Sequence, residues 1–174
     1  MLGVGLGPSM GVRVATQNND PADVGAALSA VTLSSDRLRW ELAKRLQLSA
    51  LDLRALYTVA AGEQVTPKHL AAALDLTTGS ITTLLDRLEH KGFTERAAHP
   101  QDRRSVVVRL TPAGRAAHAW AVQRYRQAVT AALAGSPDID VASVTAFLAA
   151  AQRTLTEVAE GLPPAAPSLP PRTA

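Results

Sequence analysis

Two short helical segments joined by only two residues constrain this chain more than any other feature of its sequence. Thr66 and Thr77 are typical helix starts, because a threonine hydroxyl can accept the free amide groups of a first turn. We therefore predict helices over residues 67–74 and 77–91, with a turn at Asp75-Leu76. Two helices joined this tightly form a helix-turn-helix.

The second of these helices is predicted to have two unlike faces. Its large apolar residues repeat at helical spacing and should pack on the preceding helix. The opposite face is small and polar, and its glycine and β-branched residues are poor helix formers. Such a face can approach a groove of DNA closely and bond to phosphates or base edges, although it also fits a solvated surface without a ligand. The candidate DNA contacts here are Thr77, Thr78, Gly79, Ser80, Thr82, Thr83 and Arg87.

A basic hairpin is predicted directly after this helix. Residues 94–97 and 105–110 have strand character around a turn at His99-Pro100-Gln101. In the second strand the inward positions are expected to be the alternating apolar residues Val106, Val108 and Leu110.

Charge is concentrated in the same hairpin. Residues 94–115 contain five arginines and two acidic residues, a local net charge of +3, which equals the formal charge of the whole chain. The negative potential of a minor groove attracts guanidinium groups. An ion pair with Asp102 could position Arg104 at the tip. The candidate contacts of the hairpin are Arg96, Asp102, Arg103 and Arg104.

Long helices with apolar seams are predicted towards both ends of the chain. One runs from Pro21 to about Gln47, another starts after Thr111 and stops at Gly135-Ser136-Pro137, and the last spans about 139–160. The first and last carry seams spaced alternately by three and four residues, a period that favours packing against another helix. Their apolar members include Val24, Leu28, Val31, Val141, Val144, Leu148, Leu155 and Val158.

The order of motifs over residues 66–114 resembles the MarR family. The matching motifs are Leu74-Asp75-Leu76-Thr77, Ile81-Thr82 to Leu88-Glu89, Gly92-Phe93, Asp102-Arg103-Arg104-Ser105 and Leu110-Thr111-Pro112-Ala113-Gly114. The helix order extends the resemblance over about 21–160. It implies a mainly α fold with a small β-hairpin wing, that is, a winged helix-turn-helix domain with a DNA-binding lobe at 66–111 and dimerisation helices at 21–47 and 112–160.

The resemblance also implies a function. The chain would be a sequence-specific transcriptional regulator, a repressor released by a small-molecule ligand, with the second helix in the major groove and the Asp-x-Arg wing tip in the minor groove. It would act as a homodimer on a pseudo-palindromic operator. The two seams would form the dimer interface. Trp40 and Trp120 are candidates for lining the cleft of a small amphipathic or phenolic effector, although both also suit a plain core or interface.

The composition and the motifs also bear on other classes of function. The absence of cysteine excludes disulfides, thiolate metal sites and cysteine nucleophiles. The four histidines, His69, His90, His99 and His118, fall in separate predicted elements, and no catalytic motif is present, so we expect neither an enzyme nor a cofactor. Two alternatives stay open: a metal-responsive regulator, and a winged-helix protein-interaction module without specific DNA binding.

The terminal segments are expected to lie outside the folded domain. Residues 1–20 are interpreted as a flexible Gly-rich extension, and residues 161–174, with five prolines in the last thirteen positions, as a disordered tail. Neither a secretion signal nor an apolar run long enough to span a membrane is recognised, so a cytoplasmic location is expected.

Overall fold

The structure, a computed structural model, describes residues 20–101 and 105–163, and in these ranges it has six helices and one two-stranded sheet. The elements are α1 Pro21–Arg45, α2 Ala50–Ala61, α3 Pro67–Leu74, α4 Thr78–His90, β1 Thr94–Ala98, β2 Val106–Leu110, α5 Pro112–Ala134 and α6 Val141–Glu160. The mainly helical fold with a small hairpin confirms the predicted fold class. The described part of the chain divides into a first unit that ends at Gln123 and a second unit that begins at Arg124.

Side-chain caps define where the first four helices begin. In each case a side-chain oxygen accepts a hydrogen bond from an amide of the first turn, which satisfies a group that has no partner inside the helix. The capping residues are Asp20, Ser49, Thr66 and Thr77, at 2.9, 3.0, 3.2 and 3.3 Å. Between α3 and α4 the chain turns at Asp75, which adopts the left-handed conformation with φ 55°.

The core of the first unit is made of apolar side chains from α1 to α5. The end of α1 contributes Leu42 and Ala43, and α5 contributes Ala117 and Ala121, while α2, α3 and α4 supply most of the leucines. All four predicted apolar positions of α4 are at most 1% exposed. The helix-turn-helix therefore rests on a core that extends well beyond its own two helices.

The hairpin departs from its prediction in one strand. β1 and β2 pair antiparallel, with Thr94 opposite Leu110 and Ala98 opposite Val106. The expectation that Val106 points inward is wrong, because it is 40% exposed, whereas Val107 and Val108 are both buried. Simple alternation assumes one solvated face, but the middle of β2 is covered on both faces, and Val106 lies beyond this covered stretch. The amide of Val108 also donates to the carbonyl of Val65 at 2.7 Å.

The end of α4 and the start of α5 meet at a bonded corner. The hydroxyl of Thr111 donates to the carbonyl of Gly92 at 2.6 Å and accepts the amide of Gly114 at 3.0 Å. The amide of Thr111 donates to the carbonyl of Phe93 at 3.1 Å. A Cβ on Gly114 would collide with that carbonyl oxygen, so only glycine fits this position without a shift of the backbone.

In the second unit, the described residues 124–163 include the later part of α5 and all of α6. Asp140 caps α6 by accepting the amides of Ala142 and Ser143 at 3.1 and 3.2 Å. None of the side chains of α6 is buried in the chain. Its exposed large apolar residues are Val141, Phe147, Leu148, Leu155 and Val158.

The N-terminal members of the predicted α1 seam are also largely uncovered. Val24 and Val31 are exposed, and Leu28 is half-buried. Among the described helices, none combines the length and the apolar character needed to cross a bilayer.

Candidate nucleic-acid interface

One face of α4 is small, polar and open to solvent. Thr78, Gly79, Ser80, Thr82 and Thr83 are all exposed, directly opposite the buried leucine face. Apart from its chain neighbours and the backbone of α4, no described atom lies within 4 Å of the point where a Cβ on Gly79 would stand. The fold thus has room for a side chain at Gly79. Because glycine has none, the surface of α4 stays open here to a partner molecule.

The hydroxyl groups on this face are bonded back to their own helix. Thr82 donates to the carbonyl of Thr78 at 2.9 Å, and Thr83 donates to the carbonyl of Gly79 at 3.2 Å. The hydroxyl oxygens of Thr77 and Ser80 lie 3.0 Å apart. Because each hydroxyl has one proton, Thr82 and Thr83 offer a ligand their oxygen lone pairs and methyl groups. Such groups suit base edges and thymine methyls.

Arg87 lies on α4 but is held by α2. Its Nε donates to Oδ1 and Oδ2 of Asp52 at 3.1 and 3.2 Å, and its Nη2 also donates to Oδ1. The Arg87 side chain keeps 42% of its exposure, while that of Asp52 keeps only 2%. The guanidinium expected to reach DNA is therefore bound to a buried carboxylate of the same chain.

Asp52 is a functional candidate that sequence reasoning missed. It completes a capping box, in which the amide of Ser49 donates to Oδ2 of Asp52 at 3.0 Å and the amide of Asp52 donates to the hydroxyl of Ser49 at 3.0 Å. Burial raises the pKa of Asp52, but hydrogen bonds from Arg87 and Ser49 outweigh it and leave the pKa below its ordinary value. The Ser-x-x-Asp spacing was a signal for the cap. This spacing does not indicate that Asp52 also pairs with Arg87.

Arg96 joins the hairpin to α4. Its Nη2 donates to Asp86 at 2.8 Å and its Nη1 to Glu89 at 2.5 Å. Both carboxylates belong to α4, and the Arg96 side chain is 30% exposed. Of the predicted hairpin contacts, Arg96 is thus engaged within the chain, and Asp102, Arg103 and Arg104 lie outside the described residues.

The two tryptophans occupy different surroundings. Trp120 packs against the core of the first unit. Trp40 is 52% exposed, and Nζ of Lys44 lies 5.1 Å from the centre of its ring, within cation–π range. An effector cleft lined by these residues stays a prediction.

The histidines do not form a metal site in the part of the chain that the structure describes. No group of three or more histidine, aspartate or glutamate residues is arranged there to hold a metal ion. His118 instead packs against Tyr57, with ring centres 4.9 Å apart at an angle of 76°. Burial lowers the pKa of His118, which favours its neutral form in this aromatic contact.

Known proteins share this architecture. Residues 48–106 match the model of the MarR family. The chain is 34% identical over 98 residues to the multiple antibiotic resistance protein MarR of Escherichia coli, covering 56% of this chain and 68% of that protein.

Solved structures agree. A crystal structure of an Escherichia coli MarR mutant complexed with operator DNA is similar with a TM-score of 0.55 and 27% identity, over 76% of this chain and 94% of that one. The regulator BldR from Sulfolobus solfataricus is similar with a TM-score of 0.58 and 27% identity, over 78% of this chain and 94% of that one.

Proposed function

This chain belongs to the MarR family of DNA-binding transcription regulators and is not an enzyme, and we propose that α4 enters the major groove of its operator. The observation that carries this proposal is the exposed face of Thr78, Gly79, Ser80, Thr82 and Thr83. A helix built only for stability would gain from alanine or glutamate at these positions. Small side chains instead allow close approach to base edges.

We further propose that the protein binds as a homodimer. The support is α6, which leaves five large apolar side chains exposed, together with the uncovered seam of α1. Large apolar side chains left exposed along one side of a helix mark an interaction site. A two-fold dimer places two copies of α4 on half-sites about one helical turn apart, so the operator would be pseudo-palindromic.

The wing and the effector complete the proposal. Asp102, Arg103 and Arg104 would reach the minor groove beside α4, where guanidinium groups are attracted by negative potential. Occupation of the operator would repress transcription in the cytoplasm, and a small amphipathic or phenolic molecule near Trp40 and Trp120 would release it. The operator complex of the Escherichia coli relative supports the DNA-bound state.

Gly79→Ala tests the placement of α4. Alanine should stabilise the helix by roughly 0.5–1 kcal/mol, because the site has room for a methyl group and glycine is a poor helix former. The same methyl group should obstruct the groove and weaken operator binding about tenfold or more. Binding is measured with labelled fragments that flank the gene of this protein, titrated against salt and competitor DNA.

Gly25→Ala is the matched control. Gly25 is also helical and exposed, and beyond its chain neighbours and its own helix backbone no described atom lies within 4 Å of its missing Cβ, but it lies on α1. This variant should be stabilised in the same way and bind the operator like the wild type, with its dimer verified by light scattering. If Gly79→Ala binds as tightly as Gly25→Ala, the first turn of α4 does not enter the groove. If the wild type binds every fragment equally weakly, a genome-wide binding selection decides between a distant operator and a protein-interaction module.

A further inference from the structure

We propose that Arg87 and Asp52 form a brace that sets the orientation of α4 for DNA, and that Arg87 serves as a positioning residue and makes no phosphate contact. This inference rests on the proposed function, because it assigns a role in operator binding. It also changes the assignment that the sequence favoured for Arg87, which was direct contact with DNA.

The brace joins two helices that are distant in sequence. Arg87 and Asp52 are 35 positions apart, on α4 and α2. Nε and Nη2 of the guanidinium meet the carboxylate in a fork, which fixes direction as well as distance. Ser49 donates to Oδ2 of the same carboxylate, so both of its oxygens have partners within the chain.

A phosphate contact that replaced Asp52 as the partner of Arg87 would break this arrangement. If a phosphate drew the guanidinium away, it would leave unpaired a carboxylate whose side chain is only 2% exposed. A buried charge that loses its partner is strongly unfavourable. The guanidinium therefore stays on Asp52 when DNA binds.

The position of Arg87 explains why the brace matters for recognition. It follows Ser80 by seven residues, which is about two helical turns, so the two residues lie on nearly the same side of α4. Any rotation of α4 about its own axis would change the direction in which its exposed face points. A fork to α2 on this side restrains that rotation, and with it the direction in which the exposed face around Ser80 points.

Three variants separate a brace from a phosphate contact. Asp52→Asn keeps the shape of the side chain and an oxygen for the cap, but removes the charge. Arg87→Lys keeps the charge but loses Nε and with it the fork. Arg87→Gln removes the charge. Asp36→Asn is the matched control, because it changes the net charge by the same amount in an exposed ion pair on α1.

The brace predicts that Asp52→Asn and Arg87→Lys each weaken operator binding about tenfold, at an unchanged salt slope, while Asp36→Asn binds like the wild type. It also predicts that the double variant Asp52→Asn with Arg87→Gln has at least the operator affinity of whichever single variant binds more weakly. Affinity is measured by fluorescence anisotropy on labelled operator between 50 and 200 mM salt, about the range over which phosphate contacts are revealed.

A phosphate contact predicts the opposite on each point. Removing the negative charge of Asp52 would leave affinity equal or higher, Arg87→Lys would bind nearly like the wild type, and Arg87→Gln would flatten the salt slope by about one counterion per subunit. Any of these results, obtained with a variant that is folded by circular dichroism at the assay temperature, overturns the proposal.

A measurement on the free protein keeps the brace testable apart from operator binding. In urea unfolding, the double-variant cycle of Asp52→Asn and Arg87→Gln should show a coupling of roughly tenfold in the unfolding equilibrium constant. Additive effects would refute the brace even if the wild type binds its operator. Strong coupling in a wild type that binds no fragment would instead remove the proposed function and leave the ion pair as a purely structural contact.

Discussion

The helices α4 and α6 are both amphipathic, yet the chain treats their apolar faces in opposite ways. The four large apolar residues of α4 are buried against the other elements of the first unit. On α6 none of the side chains is buried, and Leu155, for example, is 65% exposed. The apolar face of α4 is covered by its own chain, whereas the apolar face of α6 is left exposed.

This difference shows what amphipathic spacing can and cannot tell. The spacing predicts that a face will be covered, but it does not say by which molecule. If a second copy covers α6, the same kind of substitution must have different effects on the two helices. Three experiments compare α6 and its cap with positions in the first unit.

The largest effect is expected from Leu148→Glu combined with Leu155→Glu. Two charges on the exposed seam of α6 should separate the proposed dimer and lower operator affinity by at least about a hundredfold, because one copy reaches only one half-site. Light scattering gives the oligomeric state and anisotropy gives the affinity. The control is Leu33→Glu, since Leu33 is 71% exposed but lies off the α1 seam. A double variant that remains dimeric would show that α6 is not the interface.

A second comparison uses leucine to alanine substitution on each helix. Leu85→Ala should lower the free energy of unfolding by roughly 2–5 kcal/mol, because it leaves a cavity in the core. Leu155→Ala should change the stability of the separate chain by less than about 0.5 kcal/mol and act mainly on dimer dissociation. Urea unfolding over a range of protein concentrations distinguishes the two effects. Equal losses that do not depend on concentration would remove the contrast between the helices.

The smallest effect concerns acid. The pKa of Asp52 is lowered as described above, and hydrogen bonds from Ser143 and Ala142 lower the pKa of Asp140. A carboxyl group with a lowered pKa in the folded chain stabilises it above the unfolded value of about 3.9, and this contribution is lost as the pH falls through the folded pKa.

Urea unfolding at pH 7 and pH 3 tests this point. Asp52→Asn should remove more of the acid sensitivity than Asp140→Asn, because Asp52 is buried and ion-paired whereas Asp140 is exposed and screened by solvent. If both variants keep the acid sensitivity of the wild type, neither carboxylate contributes in this way.

The helices could be predicted from the sequence because their signals are local. Each cap places an oxygen within three residues of the amide that it accepts, so Thr66, Thr77 and Asp20 mark helix starts correctly. The same holds for the buried face of α4, where the spacing of leucines alone identifies the residues. The MarR-family assignment follows from these local motifs in sequence order and is confirmed by the comparisons.

The partners of the arginines could not be predicted in this way. Arg87 was assigned to DNA because it follows the polar face, but its carboxylate lies on another helix, 35 residues away. Arg96 likewise has its partners on α4. The exposure of Val106 was missed for a related reason, since alternation along a strand does not reveal how many faces the rest of the fold covers.

Gly114 limits how the first unit can deform. Its backbone lies so close to the carbonyl of Phe93 that no side chain fits between the first turn of α5 and the segment that follows α4. Thr111 is hydrogen-bonded to both Gly92 and Phe93. The segment that leaves α4 and the segment that enters α5 are therefore fixed to each other and cannot move independently. A force applied to the first turn of α5 is therefore transmitted to the end of α4 without an intervening flexible link.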